Sequence, residues 1–395
     1  MFYYNNNVWL GNFEKFTKMK EVLIVSIGFS PNVGGIETHF DDLTSVLAKR
    51  GWKVWVLTYT PITTNVKAPA RETRGRKIQI YRLPWPRGFF YKLVKRPTFE
   101  FLYLAPGLFF ALPIFLALNG KKIGVIHAHG LIAGFASVVW AKVFAKRVVV
   151  STHSTYGFPK RGLYRWFASW IIKRADFSSG LSEKAKKEIL SLGVDRKKVG
   201  KFTYWVDLNH FKKIRNAKEK INMADKFIVF TASRLIPEKG IGELLKAASL
   251  WDKRIYLIVS SDGPLKSLVE DYESKYTNIK YVGRLSQDEL ALYYSASDLL
   301  IIPSTHEEGF GRVIIESLAC GTPVIGANRG AIVEAMDDSV GRLIEITPEN
   351  IKKTVEYYFE NPTALKRLAS SARGFALKRY SEKNVEDIIK SYKDA

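Results

Sequence analysis

VLIVSIG at residues 22–28 and FIVFTAS at residues 227–233 share one character. Each is an apolar run of buried-strand type that gives way to a loop carrying glycine. After the first comes a helical pattern, with Ile36, Phe40, Leu43, Val46 and Leu47 on one face and Gly51 closing it. KVWVLT (53–58) reads as the next strand, and VIHAH (125–129) and RVVVST (147–152) as two more. From residue 227 the alternation restarts. A helix begins at Ile241, and RIYLIVS (254–260), IKYVG (279–283), LLIIPS (299–304) and PVIGA (323–327) supply further strands. Strands alternating with helices predict a parallel, doubly wound sheet, and the restart predicts a second one. The fold class is therefore α/β, with two Rossmann-like domains. A length of 395 residues is also more than one core accommodates. The expected boundary falls near 203–215, giving a first domain over 19–205 and a second over 206–380. A last helix, from about Glu382 within 381–395, can pack on either half.

Residues 1–18, MFYYNNNVWLGNFEKFTK, lack an apolar core and read as a loose extension ahead of a natural start at Met19. The single cysteine, Cys320, forms no intrachain disulfide, which fits a reducing compartment. A cytoplasmic location is expected, peripheral at the inner membrane face.

The net charge of +23 is unevenly placed. Residues 1–205 hold 33 Lys/Arg against 11 Asp/Glu, whereas residues 206–395 hold 28 against 27. An excess confined to one half points to an anionic partner for that half. Residues 67–96 concentrate it, with ten Lys/Arg, one acid and Trp85, Phe89, Phe90 and Tyr91 interleaved. FLYLAPGLFFALPIFLAL (101–118) follows without a charge. Its length is at the lower limit for a membrane span. Pro106, Gly107 and Pro113 interrupt it, and a crossing would cut the first domain in two, so a span is rejected. Two readings of 67–118 remain: a pair of apolar core helices, or a monotopic patch dipping into an anionic bilayer face. Nucleic acid is not expected, because no recognised binding module accompanies the basic run.

Three loops carry candidate chemistry. Gly34 and Gly35 lie between the first strand and its helix, where glycines let backbone N–H groups approach a phosphate. The pattern is neither GxGxxG nor a P-loop, and alone it is also an ordinary tight turn. SRLIPEKG (233–240) occupies the equivalent point of the second domain. Arg234 and Lys239 there would suit a diphosphate, although loop cations are usually just solvated. STHEEGFGRVIIE (304–316) sets Glu308 before a Gly309-Phe310-Gly311 turn and Glu316 inside a helix from Arg312 to Cys320. With a helical rise between them the two carboxylates lie about 12 Å apart. That distance matches the ribose, diphosphate and hexose of a nucleotide sugar. The plainer alternative for Glu308 is an N-terminal helix acid favoured by the dipole. For Glu316, between Ile315 and Leu318, it is a solvated helix face.

The ordered set of loops resembles glycosyltransferase family 4, the retaining group 1 enzymes of the GT-B fold. The matching elements are Gly34-Gly35, His153 in VVVSTHS, R-L-x-x-x-K-G at Arg234 and Lys239, D-G-P at Asp262–Pro264, and P-S-x-x-E-G-F-G with the second glutamate. They span about residues 20–390. The resemblance implies two domains facing an interdomain cleft and a nucleotide-diphosphate sugar (UDP- or GDP-linked) as donor. It implies a hexose moved with retention to a sugar or lipid-linked acceptor. Arg234 and Lys239 would neutralise the departing diphosphate, Glu308 would hold the transferred sugar, and Glu316 the ribose. Gly309, Phe310 and Gly311 would shape the donor site, Gly34 and Gly35 would touch phosphate, and His153 would face the anomeric carbon. No cofactor and no metal are needed, since the basic pair supplies the charge. A nucleotide-sugar epimerase and an inactive sugar-nucleotide or membrane-binding module are the alternatives. The intact Arg234, Lys239, Glu308 and Glu316 argue against both.

Two departures stand out. Tyr204-Trp205 precede Val206-Asp207 where relatives often have Asn-Gly, and Ser261 stands where a glycine is expected before D-G-P. His127, His129 and His153 could pose as a metal site, but no acid or cysteine lies near them in sequence. His39 and His306 are candidates only by their proximity to motifs.

Overall fold

A computed structural model describes residues 20–32, 34–86 and 97–394. The N-terminal extension and the Phe89, Phe90, Tyr91 cluster lie outside them. The chain divides into two units, 1–202 with 385–395, and 203–384.

The first unit is built on eight strands: β1 (Glu21–Val25), β2 (Lys53–Tyr59), β3 (Arg71–Arg74), β4 (Ile78–Leu83), β5 (Val125–His129), β6 (Arg147–Thr152), β7 (Phe177–Gly180) and β8 (Val199–Lys201). They lie in the order β3-β4-β2-β1-β5-β6-β7-β8. All neighbours are parallel except β3 and β4. Charged Arg-Glu-Thr-Arg on the short outer strand β3 suits a sheet edge. The order reverses at β1, with β2 on one side and β5 on the other. Helix Gly35–Lys49 follows β1 and buries Phe40, Leu43, Val46 and Leu47, while Ile36 is exposed. The last helix, Val385–Asp394, belongs to this unit and packs on β6, β7 and β8.

The apolar run expected to form two helices is one helix, Pro97–Asn119. Its two internal prolines are accommodated by neighbours. Pro113 has no N–H to give the Phe109 carbonyl, and the Trp140 indole N–H donates to that carbonyl instead, at 2.7 Å. Near Pro106 the Tyr59 hydroxyl enters the ladder. It donates to the Leu104 carbonyl and accepts from the Leu108 N–H at 2.8 Å, a pair that would otherwise bond to each other. Gly107 makes room for it, since a Cβ there would lie 2.4 Å from the Tyr59 hydroxyl. Leu104, Leu108, Leu112, Phe115 and Leu116 are buried against the sheet, whereas Phe99, Leu102, Phe110, Ile114 and Leu118 face outward and are exposed.

The second unit carries β9 (Phe227–Ala232), β10 (Ile255–Ser260), β11 (Ile279–Tyr281), β12 (Leu299–Ile302), β13 (Val324–Ala327) and β14 (Gly341–Ile344). Their order is β11-β10-β9-β12-β13-β14, parallel throughout. Such strands are covered on both faces, and their apolar residues are accordingly buried without alternation. Here the order reverses between β9 and β12.

Candidate active site

In a parallel sheet, ligands collect outside the carboxyl ends of the strands where the order reverses. In the second unit that point is flanked by two loops, Ser233–Gly240 after β9 and Pro303–Gly311 after β12. Gly240 lets them meet: it has φ +64°, and a Cβ on it would sit 1.8 Å from the Pro303 carbonyl oxygen. The Thr305 N–H donates to the Glu238 carbonyl at 3.0 Å, and the His306 Nδ1 lies 2.8 Å from the same oxygen. His306 is thereby a clasp between the loops.

This contact brings Lys239 onto Glu308. The ammonium pairs with Oε1, and the Ser304 hydroxyl donates to the same oxygen. The two charged side chains are 14% and 10% exposed, so solvent screens the pair weakly. Burial alone would raise the Glu308 pKa. The Lys239 charge and the bonds from Lys239 and Ser304 outweigh it and hold the carboxyl below the ordinary glutamate range. Arg234 is exposed and has no side-chain hydrogen-bond or ion-pair partner among the described residues. The site thus presents one free guanidinium beside one ammonium already held by a carboxylate.

Glu308 and Glu316 do not share a helix, because the helix runs only over Arg312–Ala319. A fully helical rise between the two carboxylates is therefore not what the fold provides. Phe310 turns inward, its ring 5.4 Å from Tyr204 and 5.8 Å from Tyr380, and so anchors the turn between them. Gly311 caps the helix at φ +79°. Glu316 is buried rather than on a solvated face. The Arg312 Nε donates to its Oε1 at 3.0 Å, and the Tyr294 hydroxyl donates to its Oε2 at 3.0 Å. Arg312 also donates to the Trp205 carbonyl at 3.3 Å. The Tyr204-Trp205 departure thus has a structural role: both rings are buried, and the backbone they place receives Arg312. Sequence reasoning missed Arg312, Tyr294 and Ser304. The i, i+4 spacing of Arg312 and Glu316 was the available signal for the first; nothing in the sequence marked the other two.

The loop after β10 closes on the loop after β9. Leu235 donates its N–H to the Asp262 carbonyl at 3.0 Å, and Leu265 donates to the Leu235 carbonyl at 2.9 Å. Ser261 has φ +108°, a backbone region that favours glycine, which is the residue expected there.

In the first unit, Gly34 and Gly35 open the helix after β1, and Val33 lies outside the described residues. His153 follows β6, and its Nε2 lies 2.8 Å from the His129 Nδ1. His127 is held at both nitrogens, by the Tyr392 hydroxyl at 2.8 Å and the Ser151 hydroxyl at 2.7 Å. His39 is buried among Phe40, His153 and Phe202. Burial lowers the His127 and His153 pKa values to about 3, with the His153 charge adding to the effect at His127, and takes His129 well below its usual value. His127, His129 and His153 are therefore neutral near pH 7. His127 is a structural strut, and no group of three or more His, Cys, Asp or Glu side chains placed to hold a metal ion occurs among the described residues.

Among the basic residues of 67–96, Arg74 is tied to Asp41 and Glu72, and Arg82 to Glu72 and two carbonyls. Arg71 and Arg76 are exposed, while Lys92, Lys95 and Arg96 lie outside the described residues.

Residues 33–209 match the family model described as Glycosyltransferase Family 4, and residues 212–375 the model described as Glycosyl transferases group 1. A phosphatidylinositol N-acetylglucosaminyltransferase subunit of Arabidopsis thaliana is 26% identical over 349 residues, which is 85% of this chain and 73% of that protein. Sucrose-phosphate synthase from Thermosynechococcus elongatus has a similar structure, with a TM-score of 0.79 at 20% identity, covering 94% of this chain and 98% of its own. Anabaena HepE in complex with UDP and glucose follows at 0.73 and 18%, covering 95% and 100%. At such identities these two likenesses speak for the fold.

Proposed function

The chain belongs to the group 1 glycosyltransferases, with the family 4 module in its first half and the GT-B fold, and uses a nucleotide-sugar donor; on that premise we propose a retaining, metal-independent hexosyltransferase acting on a lipid-borne or otherwise anionic acceptor. The observation that carries this reading is the Lys239–Glu308 pair, with exposed Arg234 on the same loop, at the point where the second sheet reverses its order.

A departing nucleoside diphosphate needs positive charge, and two cations placed in advance supply it without a metal. Arg234 is unengaged and can grip two phosphate oxygens at once. Lys239 is held by Glu308, so its charge is already in position. Glu308, kept ionised, accepts hydroxyls of the transferred sugar. Glu316 receives one hydrogen bond on each oxygen from Arg312 and Tyr294. In this reading Glu316 is the ribose-binding carboxylate, and Arg312 and Tyr294 fix its orientation. Retention follows if the acceptor attacks from the leaving-group side and a donor phosphate oxygen takes its proton. His153, kept neutral by burial, offers hydrogen bonding rather than a charge.

Two features support a membrane acceptor. The outward side chains Phe99, Leu102, Phe110, Ile114 and Leu118 form an exposed apolar stripe along one helix. The same half of the chain carries almost all the net positive charge. An amphipathic surface of this kind lies on an anionic leaflet, here the cytoplasmic one. The Arabidopsis relative is itself named for phosphatidylinositol.

Release of UDP or GDP from a panel of nucleotide sugars, with membrane lipid extract as acceptor source, tests the reading. Activity should be acceptor-dependent and persist in EDTA. Loss in EDTA with recovery on adding magnesium or manganese would overturn metal independence.

A further inference from the structure

The point of reversal in the first sheet holds a feature that the donor chemistry does not use. A cavity of about 370 Å³ opens outside the carboxyl ends of β1 and β5. Ile27, Phe101, Leu131 and Phe167 form its walls, and Leu102, Leu163 and Trp166 reach its rim. These last three are 63%, 85% and 62% exposed, far more than large apolar side chains usually are away from a ligand or membrane. Among the described residues no lysine or arginine lines the cavity, although the surrounding half of the chain is strongly basic.

Two residues with polar ends, His129 and Glu100, line this apolar space. His129 is 5% exposed; its Nδ1 is engaged by His153, while its buried Nε2 has no hydrogen-bond partner. Glu100 also lines the cavity and has no hydrogen bond or ion pair among the described residues. Burial pushes its carboxyl up to about 7. A buried polar atom left unpaired costs about 1–3 kcal/mol, so the His129 Nε2 at this cavity points to a ligand that satisfies it, and half-buried Glu100 offers a second polar contact. An apolar space of several hundred cubic ångströms with a few convergent polar groups is the usual form of a small-molecule site.

We propose that this cavity seats the hydrocarbon portion of the acceptor, with an uncharged hydroxyl-bearing end against His129 and Glu100 and any anionic headgroup left outside on the basic surface. The assignment rests on the glycosyltransferase reading and names the acceptor class for it. The described walls are apolar and suit a hydrocarbon rather than a phosphate. The exposed rim continues the apolar stripe through Leu102, so an amphiphile can enter from a bilayer without crossing water.

The test uses n-octyl β-D-glucoside, kept below its micelle concentration, with methyl β-D-glucoside as a control that shares the head and lacks the chain. Titration is followed by calorimetry and by tryptophan fluorescence, to which Trp166 at the rim contributes. The octyl compound should bind saturably at one site and the methyl compound should not. Leu163→Ser and Trp166→Ala should each weaken octyl glucoside binding about tenfold. Both side chains are mostly exposed, so the variants should fold, and their thermal stabilisation by UDP or GDP should match the wild type. Equal behaviour of the two glucosides, or unchanged octyl binding in both variants, overturns the assignment. Failure of UDP and GDP to stabilise the wild type strikes instead at the glycosyltransferase reading, and the octyl titration still decides the cavity.

Discussion

The two sheets reverse their strand order at comparable points, but the loops there are furnished differently. After β9 and β12 the chain places an exposed arginine, a buried Lys–Glu pair and glycines that let two loops touch. At β1 and β5 it places neutral histidines and an apolar cavity, to which the helix Pro97–Asn119 adds the Glu100 carboxyl. One edge carries fixed charges, and the other is lined mainly by apolar side chains. A half-chain carrying 33 Lys/Arg thus has a cavity with no cation among its described lining residues.

The largest effect should come from breaking the charged edge. Arg234→Ala should lower turnover on the order of a hundredfold or more with an unchanged melting temperature, because the side chain is exposed and binds nothing else in the fold. Lys239→Ala should lower turnover similarly but also destabilise, since it strands the nearly buried Glu308 carboxylate. Near-normal turnover in Arg234→Ala would remove that residue from the mechanism. An unchanged melting temperature in Lys239→Ala would show that the ion pair is not maintained in solution.

A smaller effect should come from the basic, apolar outer surface of the first unit. Each Lys or Arg near an anionic membrane contributes about 1 kcal/mol, screened within a Debye length. Binding to anionic vesicles should therefore fall steeply with salt. Reversing Arg71, Arg76, Lys121 and Lys122, all exposed, should release the salt-sensitive fraction. Arg74 and Arg82 are unsuitable for this because they hold β3 and β4 to Asp41 and Glu72. Phe110→Ser with Ile114→Ser should remove any salt-resistant fraction. Vesicle binding indifferent to both sets of changes would detach the membrane from the function.

Much of this was legible in the sequence, for identifiable reasons. Parallel strands buried on both faces are written as short unbroken apolar runs, so the restart at FIVFTAS revealed a second sheet. The loops carrying Arg234, Lys239 and Glu308 follow strand ends directly, and their glycines mark where backbones must approach. The sequence did not show that Pro106 and Pro113 lie within one helix. That depends on Tyr59 and Trp140, which reach the freed backbone groups from distant parts of the chain. Nor did it show that Lys239 and Glu308 bind each other, because a contact 69 residues apart leaves no local pattern. The cavity was invisible for the same reason: its walls come from four separated segments. Ser261 shows a further limit. Its φ of +108° explains why glycine is expected there, yet nothing in the structure explains why this chain carries serine.

The subtlest consequence of the contrast is in pH dependence, because the two edges hold carboxyls displaced in opposite directions. Glu308 is held below its ordinary range by Lys239 and Ser304 against the effect of burial. Its pairing therefore stabilises the fold above the unfolded pKa, and that contribution is lost as pH falls through the lower folded value. Glu100 is raised from 4.5 to about 7, by burial alone. The folded state favours its neutral form, so its contribution is full below about pH 4.5 and disappears as pH rises through about 7. The other groups facing it do not titrate in that window: His129 stays neutral, and burial raises the Tyr156 and Tyr164 hydroxyls far above it. Glu100→Gln keeps the shape and removes the proton equilibrium. Between pH 5 and pH 8 the wild-type melting temperature should therefore fall relative to that of Glu100→Gln. If octyl glucoside shields the carboxyl as proposed, saturation with it should steepen the difference, since the ionised form becomes harder to solvate. Parallel pH profiles for the two proteins would mean that water reaches Glu100 freely, and that the first edge is not the apolar counterpart of the second.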